Sequence, residues 1–170
     1  YKKFGLKKPV KNKNKSDPIN WKVVKFARKI TNKPIILKGI LSWKDAKIAV
    51  DLGADGIWVS NHGGRNLETD ITSLEVIEDI RAKISQKVKL IIDGGIRTGS
   101  DMFKALSLGA DFVAIGRPIV YALTADNKKG ADKLLELFSH EFLSTMRICG
   151  VETVKEIEKS LIVNRLNRLK

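Results

Sequence analysis

The stretch Gly56-Ile57-Trp58-Val59-Ser60-Asn61-His62-Gly63-Gly64-Arg65 decides how this chain is read. Apolar, strand-forming sequence runs into a polar, glycine-flanked turn that presents a histidine and, three residues later, an arginine. A histidine can take up a proton near neutral pH. An arginine can clamp a carboxylate with two parallel hydrogen bonds. Together they suggest a site that holds a carboxylic acid and removes a proton from it.

The same pattern recurs on either side. Residues 34–38 read as a strand closing on Lys38-Gly39, 88–93 as one closing on Asp93-Gly94-Gly95 with Arg97 beyond, and 112–116 as one closing on Gly116-Arg117-Pro118. Helical spacing falls between them: 20–31, 43–52 with Ser42 as N-cap, 73–84 with Thr72 and Ser73 at its start, and 100–108 closed by Gly109. A longer amphipathic helix over 128–149 and a short one over 152–160 follow. Strand and helix thus alternate four times, at the spacing of βα units. Short, continuous apolar strands are those of a parallel sheet buried on both faces. A whole eight-unit barrel takes about 250 residues. Four units therefore predict an α/β fold that is the C-terminal half of a TIM (β/α)8 barrel, with a small doubly wound open sheet as the alternative.

The bulk composition narrows the class. The 170 residues suffice for one domain with a core, and 43% hydrophobic content is ordinary for a globular chain. The sequence opens on Tyr1, which reads as a fragment or processed product. A single cysteine, Cys149, rules out an internal disulfide framework, fits a reducing cytoplasmic setting and reads as a small buried apolar residue. No apolar run approaches the roughly 18 residues of a membrane span. Lysine dominates the net charge of +13, and three of the few arginines, Arg65, Arg97 and Arg117, sit in glycine-containing turns. Residues 1–18 read as a lysine-rich loop or tail ahead of one domain over 19–170. That tail would allow a basic nucleic-acid-binding module through residues 1–15, but no known nucleic-acid-binding motif supports it.

In a parallel α/β protein the carboxyl ends of all strands share one face, and ligands bind there. Lys38, His62, Arg65, Asp93, Arg97 and Arg117 would thus meet at one mouth. The glycines of Asp93-Gly94-Gly95-Ile96-Arg97 let a ligand approach the backbone, and the next helix would point its positive end at the same place. Gly116-Arg117 repeats the device, which predicts phosphate binding. Lys38 ends an apolar strand, where an unpaired ammonium is costly, so it should meet an anionic or electron-rich partner. His140 has no constellation around it, Trp58 reads as core, and neither histidine has metal-ligand spacing.

Lys38-Gly39-Ile40, Ser60-Asn61-His62-Gly63-Gly64-Arg65, Asp93-Gly94-Gly95-Ile96-Arg97-Thr98-Gly99 and Gly116-Arg117-Pro118, in this order and spacing over residues 18–152, resemble the FMN-dependent 2-hydroxy acid oxidases of the glycolate oxidase and L-lactate oxidase type. Gly-Ile-Trp-Val-Ser-Asn-His is most similar to the bacterial lactate oxidases. The resemblance implies a TIM barrel, FMN as cofactor and a homotetramer. It implies oxidation of an (S)-2-hydroxy acid, L-lactate or similar, to the 2-oxo acid, with oxygen or another electron acceptor. By the same resemblance Lys38 would lie at the flavin N1–C2 edge, and Ser60 would touch the flavin. His62 would be the base and Arg65 the carboxylate clamp. Asp93, Gly94, Gly95, Ile96 and Arg97 would hold the ribityl chain and phosphate, with Gly116 and Arg117 completing the phosphate site.

The resemblance departs in two places. Asn66-Leu67-Glu68 stands where the family continues Gln-Leu-Asp, a conservative change. The family's first four strands, which supply the aspartate that orients the histidine, substrate tyrosines and a second arginine, have no counterpart here; residues 1–15 fit the variable loop preceding the second half. The rival expectations are an inactive truncated fragment or one half of a split enzyme, another phosphate-binding barrel, and the basic module named above.

Overall fold

Apolar β-branched runs alternate with capped amphipathic segments, and the backbone follows that alternation. The computed structural model describes residues 20–65 and 71–162; the lysine-rich segment 1–18 and Asn66-Leu67-Glu68 lie outside the described residues. The order is α1 (Trp21–Ile30), β1 (Ile36–Ile40), α2 (Trp43–Asp51), β2 (Gly56–Val59), a 3₁₀ turn (His62–Gly64), α3 (Ser73–Lys83), β3 (Lys89–Ile92), α4 (Gly99–Ser107), β4 (Phe112–Val113) and α5 (Arg117–Ile148). Side-chain caps set the helix starts: Ser42, the expected N-cap, accepts from the Lys44 amide at 3.2 Å, and Asn20 and Thr98 do the same for Lys22 at 2.9 Å and Asp101 at 3.1 Å.

The four strands pair in parallel in the order β1-β2-β3-β4. A doubly wound sheet reverses its order at a switch point; this one does not, so the open-sheet alternative is excluded and the fold is four consecutive units of a TIM barrel. Crossovers of one hand with no reversal put every helix on one side of the sheet. Burial agrees. Ile57, Val59, Leu90 and Ile92, alternate residues along β2 and β3, are fully buried with Ala46, Ile77, Ile80 and Ala105 from the helices. The opposite face carries the row Lys38, Trp58, Ile91 and Phe112 in register. Phe112 there is 55% exposed, and Ile36, one pleat below Lys38, is 47% exposed. The expectation of strands buried on both faces is therefore corrected: helices cover one face, and the other is the lumen wall, which a barrel fills with side chains from the remaining strands.

Three element boundaries also differ from the sequence reading. β4 pairs over two residues only, although the Ala114 amide continues toward the Ile92 carbonyl at 2.8 Å. The two 3₁₀ turns 154–156 and 159–161 replace the expected helix over 152–160. The last helix begins at Arg117 rather than 128, because Pro118 sits in its first turn, where its missing amide costs nothing; a break at Asp126-Asn127 divides it into two runs. No helix among the described residues is long and apolar enough to cross a membrane.

The end of the sheet away from the strand carboxyl termini is tied twice by the same device. Leu52-Gly53-Ala54-Asp55 leads into β2, and Leu108-Gly109-Ala110-Asp111 leads into β4. Asp55 accepts the Ile35 amide at 2.7 Å and Arg28 of α1 at 3.0 Å. Asp111 accepts the Leu90 amide at 2.8 Å and Arg81 of α3 at 3.2 Å. The glycine makes room for the arginine each time: a Cβ on Gly53 or Gly109 would lie 2.7 Å from the arginine's methylenes. Each arginine therefore links its helix to the sheet, and α1-β1-α2-β2 and α3-β3-α4-β4 are two copies of one unit.

Arg81 is the more buried of the two and also donates to the Ser85 and Val88 carbonyls at 3.0 Å each. Burial lowers its guanidinium from the ordinary value, while Asp111 opposes that shift. Arg81→Met leaves those acceptors without their donor, and should lower the unfolding free energy by about 2–4 kcal/mol. Urea denaturation reads this as a lower midpoint; Lys133→Ala, which removes an exposed pair with Glu136, should leave the midpoint in place. Equal midpoints for Arg81→Met and the parent would contradict the clamp. Asp55 gives a second check. The Ile35 amide, then Arg28, hold its carboxyl below the usual 3.8. Its contribution to stability is thus present above the unfolded-state value and lost as pH falls through the lower folded-state value. Stability measured across pH 2–5 should fall less steeply in Asp55→Asn than in the parent (about one carboxylate's share).

Candidate active site

Parallel pairing brings the ends of β1 to β4 together around one cavity of about 450 Å³, within the range of small-molecule sites. Lys38, His62, Arg65, Asp93, Arg97 and Arg117 all border it, with Gly94, Gly95, Ile96 and Gly116. Ile96 is 3% exposed and belongs to the apolar core. Ser60 is buried and does not border the cavity; it stands behind the wall.

Ser60 is nonetheless the joint of the site. Its Oγ accepts from Lys38 Nζ at 2.6 Å and from the His62 amide at 3.1 Å, so one hydroxyl holds both the cation and the start of the histidine turn. Lys38 Nζ also lies 2.8 Å from Asp93 Oδ2, which meets the expectation of an anionic partner. The third neighbour of this ammonium is the Trp58 ring, 5.0 Å away at its centroid, a cation–π distance. Trp58 was expected in the core; it lines the cavity instead, because it shares the lumen face with Lys38. In so short a strand, alternation separates the two faces without telling which of them is the lumen. Trp58 Nε1 and Asp93 Oδ1 are buried with no hydrogen-bond partner, so a donor and an acceptor remain for a bound molecule.

The histidine turn is built from short-range bonds. Asn61 Oδ1 accepts the Gly63 amide at 3.0 Å, the Asn61 carbonyl accepts Gly64 at 3.1 Å, and Arg65 Nε donates back to the His62 carbonyl at 3.4 Å. These bonds put the His62 and Arg65 side chains, both exposed, at the same rim. The imidazole lies across the end of β1: a Cβ on Gly39 would sit 2.9 Å from His62 Nε2, so only glycine admits the ring there. Among the described residues no side chain hydrogen-bonds the imidazole. His140 is exposed on α5, away from the cavity.

The two helix N-termini near the cavity are not equivalent, which corrects the expectation that α4 aims free amides at a phosphate. Asp101 Oδ2 accepts the Arg97 and Thr98 amides at 3.1 Å each, and Glu141 of α5 accepts Gly99 at 2.7 Å. Burial raises the Asp101 carboxyl, but the Arg97 amide, Thr98 and Lys104 outweigh it and hold the group below its usual value. α4 is therefore already capped by the protein's own carboxylates. α5 is not: it starts after Gly116 with no side-chain cap, and Arg117 stands exposed at its first turn. A Cβ added at Gly95 or Gly116 would meet nothing within 4 Å. The room for an anion thus lies between Gly95, Gly116, Arg97 and Arg117, against the open end of α5.

Known proteins are similar to this chain in sequence and fold. The peroxisomal (S)-2-hydroxyacid oxidase GLO3 of Arabidopsis thaliana is 41% identical over 150 residues, 88% of this chain and 41% of that protein. The L-lactate oxidase of Lentilactobacillus hilgardii is 43% identical over 134 residues, 79% of this chain and 36% of that enzyme. A solved structure of mandelate oxidase with (S)-4-hydroxymandelic acid superposes with a TM-score of 0.80 at 43% identity, over 84% of this chain and 40% of the other. The chain thus spans about 40% of the length of the relatives it matches. The sequence fits the FMN-dependent dehydrogenase pattern over residues 3–164, and the chain belongs to that family of FMN-dependent 2-hydroxy acid oxidases.

Proposed function

We propose that this chain forms the FMN-phosphate, base and carboxylate-clamp portion of an enzyme that oxidises an (S)-2-hydroxy acid, L-lactate or similar, to the 2-oxo acid. The observation that carries this reading is the convergence of His62 and Arg65 on the rim of the cavity that Arg97, Arg117 and the uncapped start of α5 also border. The residues present fit FMN. The open space at Gly95 and Gly116 with two guanidiniums suits a phosphate dianion, and the orphaned Asp93 Oδ1 suits a ribityl hydroxyl. Lys38 would supply a cation to the N1–C2 edge of the ring, where reduction leaves negative charge. Gly94 and Ile96 belong to the same wall, and Ser60 serves by fixing Lys38 from behind.

FMN, when bound, accepts the electron pair from the substrate α-carbon and passes it to oxygen or another acceptor. This chain's own residues do the rest. Arg65 would hold the carboxylate through its planar fork and so fix how the α-hydrogen of the hydroxy acid is presented. His62, presented on the same turn, removes a proton from the substrate. The strands that would orient the imidazole and close the lumen come from outside these residues, and a homotetramer is the assembly proposed for the whole enzyme. Cys149, half-buried just past the end of α5, is a free thiol and fits the reducing setting proposed for it, the cytoplasm.

Titration of the purified chain with FMN, followed by L-lactate or (S)-mandelate under anaerobic conditions, tests this reading. The chain should bind FMN, and Arg65→Lys should weaken binding of the hydroxy acid to the FMN-loaded chain by about tenfold or more, because a point charge replaces a fork. Equal affinity in the variant would contradict the clamp. Flavin bleaching should be slow or absent in this chain, since no side chain among the described residues hydrogen-bonds the imidazole; rapid bleaching would contradict the assignment of that task to residues outside it.

A further inference from the structure

The turn that carries His62 is held in a conformation that its own sequence resists. His62 has φ 56°, and Gly63 and Gly64 follow at 68° and 75°. Left-handed backbone is ordinary for glycine and disfavoured for a residue with a Cβ; such a residue stays there only where its surroundings over-determine it. The bonds from Ser60, Asn61 and Arg65 described above all span three residues or fewer, so they move with the turn. Among the described residues, Asn61 Nδ2 also reaches the Ile71 carbonyl at 3.5 Å, and one bond to the turn comes from much farther away in sequence. An Nη of Arg117, fifty-four residues on, donates to the Gly63 carbonyl at 3.1 Å. It also packs where a Gly63 Cβ would be, at 3.4 Å. The guanidinium at the open start of α5 therefore grips the peptide immediately after the base.

We propose that Arg117 is a positioning residue that couples occupancy of the phosphate site to the geometry of the His62 turn. The inference rests on the FMN reading above and deepens it. Arg117 is exposed. Without a partner, an exposed guanidinium samples many rotamers, and a single neutral carbonyl holds it only part of the time. A phosphate dianion fixes the fork by charge-assisted bonds and leaves at least one N–H directed at Gly63. The bond to the turn then becomes persistent, and the left-handed backbone of His62 is held from a rigid helix end as well as from its own neighbours. Linkage makes the effect reciprocal: the ordered turn holds Arg117 where phosphate binds best. Arg97, which faces the same cavity, has no hydrogen bond to the turn among the described residues, so the coupling runs through one of the two arginines only.

The experiment is amide hydrogen exchange at residues 62–65, read by nuclear magnetic resonance on the full chain. The free protein is compared with saturating FMN, riboflavin and inorganic phosphate. FMN and inorganic phosphate should each slow exchange at Gly63 and Gly64 by about fivefold or more, while riboflavin, which lacks the phosphate, should not. Arg97→Lys should weaken FMN but keep the slowing at saturation; Arg117→Lys should abolish it at saturation, with protection of Ile57 and Leu90 in the sheet reporting an intact fold. The comparison of FMN with riboflavin on the parent chain needs no variant, so a misfolded Arg117→Lys leaves the test standing. Saturating FMN without slowing, equal slowing by riboflavin, or slowing retained in Arg117→Lys overturns the coupling and leaves the FMN reading intact. A chain that binds neither FMN nor phosphate overturns both.

Discussion

Parallel, in-order pairing that sets Lys38, Trp58, Ile91 and Phe112 in one row is the constraint on which the rest of the structure depends. It makes one face of the sheet a helix-covered core and the other a lumen wall. It also brings four strand ends, separated by up to some eighty residues of chain, to one rim. A slip of one residue in any strand would exchange the faces and turn its polar terminal residue into the core. The Arg28–Asp55 and Arg81–Asp111 ties fix the opposite end of the sheet, and each binds an amide at or beside a strand start directly. The register is thus pinned at one end so that ligand-facing residues can be placed at the other.

The charge of the site has an internal logic. Lys38 is balanced by Asp93, and the amides at the start of α4 are taken by Asp101 and Glu141. Among the described residues no carboxylate pairs with the side chains of Arg97 and Arg117, and the start of α5 carries no side-chain cap. A ligand with a dianionic tail and a flat polar body has one favoured orientation in such a cavity: its tail at α5 and its body against Lys38 and Trp58. Capping α4 internally removes the competing anion site. Orientation is therefore imposed partly by what the protein neutralises itself.

Much of this was legible in the sequence. Four apolar runs, each ending in a polar residue and a glycine, predicted the strands, their shared rim and the residues on it, because strand ends and glycine turns are local features. What escaped depends on distant partners. Glu141 caps α4 from forty-two residues away, so no local pattern announces that the helix end is closed. Trp58 was assigned to the core because alternation in a four-residue strand does not name the lumen side. The start of α5 was hidden by Arg117-Pro118, which reads as a stop although proline is at home in a first turn. The paired Leu-Gly-Ala-Asp segments, each with its aspartate 27 or 30 residues after an arginine, were the available signal for the clamps. The left-handed backbone of His62 was not legible, since it arises from bonds made by Ser60, Asn61 and Arg117 together.

The central claim is that one cavity at the strand ends holds FMN with its phosphate at the start of α5 and its ring beside Lys38. A crystal structure of the chain grown with FMN tests it most directly. The account predicts phosphate oxygens within hydrogen-bond distance of Arg117, Arg97 and the backbone around Gly95 and Gly116, with the ring edge against Lys38 and His62 left facing the open side. A flavin whose phosphate sits at α4 with Asp101 displaced, or one bound elsewhere with this cavity empty, would contradict it.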